Sequence, residues 1–98
     1  MTIEKMINGS TAVLKITEAL DTETSPVLEA LLNNELTGIN DLTLDFEKLE
    51  YVSSAGLRVI IGAQKMMGAA GKMKIINVNE SIMEIFEITG FTTILTIE

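Results

Sequence analysis

The sequence predicts an α/β domain, a mixed β-sheet with helices packed against it, in the order β-β-α-β-α-β-α-β. Three observations lead there. Short runs rich in β-branched residues alternate with longer stretches whose apolar residues recur at helical spacing. A strand, a helix and a second strand, Lys74-Ile-Ile-Asn-Val78, follow one another in the pattern of a right-handed parallel crossover, and that second strand is apolar enough to be mostly buried. Finally, 98 residues with 47% apolar content can fill one core but not two, so residues 1–98 read as a single domain.

The elements follow in order along the chain. Ile3–Ile7 and Thr11–Ile16 form a hairpin across an Asn8-Gly9 turn, whose residue types tolerate positive φ. The polar run Asp21–Ser25 supplies capping groups and Pro26 suits a first helical turn. Val27, Leu28, Leu31 and Leu32 then recur at helical spacing, placing helix one over Ser25–Asn34. After a break at Gly38–Asp41, Leu42, Leu44 and Phe46 alternate with Thr43 and Asp45 as a strand. Helix two runs from Ser54 to about Gly71, with Gly56, Ile60, Ala63, Met67 and Ala70 on its core line. Arg58, Gly62, Lys65, Ala69 and Lys72 take the opposite line, with Leu57 and Ile61 flanking one side of the core and Val59 and Met66 the other. Helix three covers Ser81–Thr89, opened by Asn79 and Glu80 and closed by Gly90, and a last strand is expected over Thr93–Ile97.

Composition excludes several kinds of chemistry. With no Cys and no His, disulfides, thiolate nucleophiles, imidazole bases and most zinc or transition-metal sites are absent, and no cofactor is implied. Net charge is −7, which disfavours nucleic acid and anionic membranes as partners. The charge is also uneven. Tyr51–Asn79 contains no acid and four cations, Arg58, Lys65, Lys72 and Lys74, whereas the remainder carries −11. Such a segment is either a solvated face or a surface for an acidic or phosphate-bearing partner. No apolar run approaches the roughly 20 residues of a membrane span, and the N-terminal stretch lacks a signal-peptide core, so the expectation is a cytoplasmic protein.

Between strand three and helix two stands Ser53-Ser54-Ala55-Gly56. With Ser53 as N-cap, its hydroxyl accepts from the backbone N–H of Gly56 or Ala55, leaving Ser54 in the first turn with a free side chain. The small Ala55 and Gly56 leave room for another protein to approach the backbone. A phosphate on Ser54 would meet the positive end of the helix, so the fold would tolerate it and binding would change without unfolding. Two readings fit: ordinary capping, and a modifiable hydroxyl. Serine hydrolysis does not fit, because no His is available as base and Tyr51 and Val52 precede the pair where a G-x-S-x-G elbow needs glycine. Gly68-Ala-Ala-Gly71-Lys72 is too short for a P-loop, lacks the Ser or Thr after the lysine, and reads as a helix C-cap.

Three segments resemble bacterial anti-sigma factor antagonists, which are single STAS domains, and together they span essentially the whole chain. Ala19-Leu-Asp21-Thr-Glu-Thr-Ser25-Pro26 is similar to the family's G-x-L-D and polar stretch. Leu42-Thr-Leu-Asp45-Phe46 with Leu49-Glu-Tyr51-Val-Ser53-Ser54-Ala-Gly56-Leu-Arg58 is similar to its strand and switch helix. Gly71, Lys74–Val78, an apolar helix, Gly90 and Phe91 resemble its C-terminal third. Two positions depart from the common pattern: Ser53 stands where many members have Asp, and Ala19 where they have Gly.

The resemblance implies a phosphorylation-switched binding module, not an enzyme. Its partner would be an anti-sigma factor that is also a serine protein kinase, sequestered by the unmodified form and released once Ser54, or alternatively Ser53, is phosphorylated. A serine phosphatase would reset it. The expected contact surface is Asp21, Thr22, Ser53, Ser54, Ala55, Gly56, Leu57, Arg58 and Ile61. A different class of function is a non-phosphorylated STAS-type scaffold or a small-ligand or lipid-binding module using the apolar flank of helix two.

Overall fold

The computed structural model describes residues 1–68 and 71–98. Chain order is β1 (Ile3–Asn8), β2 (Thr11–Ile16), β3 (Glu18–Leu20), α1 (Ser25–Glu35), β4 (Asp41–Asp45), β5 (Leu49–Val52), α2 (Ser54–Met67), β6 (Lys72–Ile76) and α3 (Glu80–Thr89), followed by a 3₁₀ turn at Phe91–Thr93. The main sheet is ordered β1-β2-β4-β6, with β1 antiparallel to β2 and the remaining pairs parallel. A second, two-stranded parallel sheet joins β3 to β5.

The parallel registers set Leu14, Leu44 and Ile75 side by side, all fully buried. Every residue from Leu42 to Phe46 is buried, the pattern of a central strand covered on both faces. The core line of α2 is as expected: Gly56, Ile60, Ala63 and Met67 are buried while Arg58, Gly62 and Lys65 are exposed. Ala69 and Ala70, placed on the two faces of that helix from spacing, lie outside the described residues. α3 is capped by the Asn79 side chain, which accepts from the Ile82 N–H at 2.9 Å, and ends at Gly90 in the left-handed region.

Four expectations need correction. Two short strands, β3 and β5, were unforeseen. They are three and four residues long, too short to display an alternation of their own, and only their mutual pairing makes them strands. Helix two stops at Met67, not near Gly71, because Gly68 leaves helical geometry at φ 56 and ψ −155. β6 therefore begins two residues before the expected Lys74 and ends at Ile76 instead of Val78. Asn77, at φ 58, turns the chain there and its Nδ2 donates to Asp45 Oδ1 at 3.0 Å. The last strand is replaced by the 3₁₀ turn and a single bridge of Ile97 to Ile75. Its β-branched residues fit a strand, but Gly90 starts a tight turn that consumes Phe91–Thr93 before the chain reaches the edge of β6.

Candidate functional site

The small β3–β5 sheet positions the site. Leu20 pairs with Val52, and the Ser53 N–H donates to the Leu20 carbonyl at 2.9 Å, so the loop after β3 and the start of α2 leave the same end of one sheet. Gly56 sits on that junction. A Cβ there would lie 2.5 Å from the Leu20 carbonyl oxygen and 3.0 Å from Leu20 Cγ and Val52 Cγ1. Its missing side chain therefore serves an internal contact, which corrects the expectation that it opens the backbone to a partner. Gly56 is buried, and the residues that remain accessible around it are the half-buried Ala55 and the exposed Ser54.

Ser53 is the N-cap: its backbone is extended and its Oγ accepts from the Gly56 N–H at 3.3 Å. Ser54 is the first residue of α2 and is exposed. Leu57 is 8% exposed, Ile61 is half-buried, and Arg58 projects into solvent. Asp21 and Thr22 occupy the neighbouring loop, Asp21 half-buried and Thr22 exposed.

Asp21 organises that loop. Its Oδ1 accepts from the Thr24 and Glu23 N–H groups at 3.0 and 2.9 Å and from the Thr24 hydroxyl at 3.1 Å. These bonds, the Thr24 backbone N–H foremost, lower the Asp21 pKa from its ordinary value, although partial burial opposes them. Thr24 Oγ1 also lies within donating distance, 2.8 Å, of the Ala19 carbonyl and accepts from the Asp21 N–H at 2.9 Å, tying the loop back to β3. The polar run Asp21–Ser25 reads in sequence as the cap of α1, but Thr24, at the N-cap, makes no side-chain bond to the helix; its hydroxyl and the Asp21 carboxylate close the loop instead.

A groove runs from Ser54 along one flank of α2. Leu57, Arg58, Ile61, Gly62 and Lys65 form one wall, and Thr89 and Phe91 close it from the end of α3. The sequence carried no sign that Thr89 and Phe91 would meet α2, because no local pattern links residues so far apart. A second groove, between α1 and α2, is lined by Leu32, Val59, Ala63 and Met66, and again by Gly62. Elsewhere a cleft holds Lys15 and Asp45, but Asp45 Oδ1 is committed to the Glu47 N–H and to Asn77, a structural role at the end of β4. Among the described residues no group of three or more carboxylates is placed to hold a metal ion, and no helix is long and apolar enough to cross a membrane.

The chain belongs to the STAS domain family, whose model matches residues 2–98. Among curated proteins it is 30% identical over 91 residues to the anti-sigma-B factor antagonist of Bacillus subtilis strain 168, covering 92% of this chain and 84% of that one. It is 34% identical over 61 residues to the putative anti-sigma factor antagonist BtrV of Bordetella bronchiseptica, covering 61% of this chain and 53% of the relative, about half its length. Among solved structures, unphosphorylated SpoIIAA, an anti-sigma factor antagonist, aligns with a TM-score of 0.79 at 17% identity, over 99% of this chain and 87% of that one. An anti-sigma factor antagonist from Mycobacterium paratuberculosis aligns with a TM-score of 0.87 at 16% identity, over 98% and 83%. At those identities the structures establish the shared fold.

Proposed function

We propose that this protein is an anti-sigma factor antagonist that works as a phosphorylation switch. Unmodified, it binds an anti-sigma factor that is also a serine kinase; phosphorylated on Ser54, it lets that partner go, and a serine phosphatase restores binding. The observation that carries this reading is the division of labour between the two serines. Ser53 spends its hydroxyl on the Gly56 N–H, while Ser54 stands exposed at the head of the groove beside the Asp21 loop. Membership of the STAS family and relatives named anti-sigma factor antagonists support the same reading.

The switch follows from charge. A phosphate brings about −1.5 to −2 units to a helix N-terminus that tolerates it, so the domain stays folded. In a docked complex that dianion must lose hydration, and each 1.4 kcal/mol or so of penalty weakens binding about tenfold. Incubation with ATP and the serine kinases of the same cell, followed by mapping of the phosphate mass shift, tests the proposal directly. Label on Ser54 supports it; absence of label on both Ser53 and Ser54 with every kinase favours a non-phosphorylated scaffold.

A further inference from the structure

Resting on that reading, we infer what kind of element the partner presents: an amphipathic α-helix with carboxylates flanking its apolar stripe, crossing α2 at Gly62. Glycine in a helix interior is destabilising relative to alanine. Nothing in the fold requires it here, since its φ is not in the left-handed region and a Cβ on Gly62 would meet no atom within 4 Å, whereas one on Gly56 would clash with the Leu20 carbonyl. Gly62 is exposed and lines both grooves, so the ridge of α2 dips between two depressions. One is lined by Val59, Ala63 and the exposed Met66, the other by Leu57, Ile61 and Phe91. Such a saddle admits a second helix at the short end of the usual 8–10 Å interaxial distance.

Charge selects the occupant. Arg58 and Lys65 bracket Gly62, four residues before it and three after, roughly 10 Å apart at 1.5 Å per residue. Both are exposed, and among the described residues neither is in an ion pair. No acid lies between Tyr51 and Asn79 in the sequence, and Glu29 of α1 lines only the α1–α2 groove, not the groove that Arg58 and Lys65 line, so the partner's carboxylates belong on the α3 side of Gly62. A second copy of this chain is a poor occupant, because an isologous contact through this face would set the cations of one protomer against those of the other. An acidic partner also explains why a phosphate is the signal. Ser54 and Arg58 line the same groove, so phosphorylation adds negative charge where the partner's carboxylates dock and gives Arg58 an internal counter-ion.

Two measurements test this. In the first, binding of the kinase that labels Ser54 is compared for wild type, Gly62→Ala and Gly62→Leu, with thermal unfolding of each free variant. Gly62→Ala is expected to raise Tm by about 4–8 °C yet weaken binding about tenfold. Gly62→Leu should abolish binding without lowering Tm; wild-type affinity for Gly62→Leu overturns the inference. In the second, the ¹⁵N-labelled domain is titrated with a synthetic amphipathic helix whose apolar stripe is flanked by glutamates, and with its lysine counterpart. Shifts at Arg58, Gly62 and Lys65 with the glutamate peptide alone are expected. No shifts, equal shifts with both peptides, or self-association of the free domain through this face overturn the proposal. Peptide binding at Gly62 without any label on Ser54 leaves the docking surface standing and removes the phosphorylation switch.

Discussion

Replacing Gly56 with alanine sets two effects of opposite sign against each other, and the structure decides between them. Alanine is a better helix former by about 1 kcal/mol, so propensity alone predicts stabilisation. The new Cβ, however, would lie 2.5 Å from the Leu20 carbonyl oxygen, a backbone atom that cannot swing aside as a flexible side chain can. Leu20 Cγ and Val52 Cγ1 at 3.0 Å close the other directions. Relief requires α2 to lift from β3, an overpacking term of about 1–3 kcal/mol. The same movement strains the Ser53 N–H bond to the Leu20 carbonyl, whose loss adds about 0.5–1.5 kcal/mol. The packing terms win, and Gly56→Ala should destabilise the domain by about 0.5–3.5 kcal/mol net. For a domain of this size that lowers Tm by about 2–28 °C. Thermal unfolding followed by circular dichroism, with urea titration to check that the m-value is unchanged, measures it. A Tm equal to or above wild type would refute the reasoning, because it would mean that the helix start is free to move. Slower phosphorylation of Ser54 in the same variant is the functional counterpart, since the hydroxyl is carried on the displaced turn.

Three further predictions follow from the same site. Ser53→Ala removes the N-cap acceptor and should cost about 0.5–1 kcal/mol, the low end for a cap given its 3.3 Å bond, read as a modest drop in Tm with Ser54 still phosphorylated. Ser54→Asp should weaken binding to the cognate kinase about tenfold or more, while Ser54→Ala binds and is never released by ATP; equal affinities in calorimetry contradict the switch. For Asp21 the folded pKa is lowered, so its contribution is present above the ordinary aspartate value and is lost as pH falls through the folded pKa. The Glu23 and Thr24 amide resonances should therefore titrate together below the ordinary aspartate pKa of about 3.9, and Asp21→Asn should abolish that transition.

Much of the fold was legible because it is written in local chemistry. The Asn8-Gly9 hairpin, Pro26 in the first turn of α1, the apolar line of α2 and the Asn79 and Gly90 caps of α3 each depend on residues within a few positions of one another. The candidate site was legible for the same reason in part. A serine pair before an apolar helix announces a cap and a free hydroxyl, and Ser53 and Ser54 take those two positions.

What the amino-acid order determined by itself is the set of interactions that close over three or four residues: helix periods, caps, the hairpin turn, and the absence of any imidazole or thiol to do catalysis. Tertiary structure alone decided the rest. The strands β3 and β5 exist only by pairing with each other, Gly56 is small because the Leu20 carbonyl lies over it, and Thr89 and Phe91 line a groove with Ser54 from the far end of the chain. Contacts between residues distant in sequence arise from how layers stack, and no period or propensity within a single segment encodes which distant segment will lie against it.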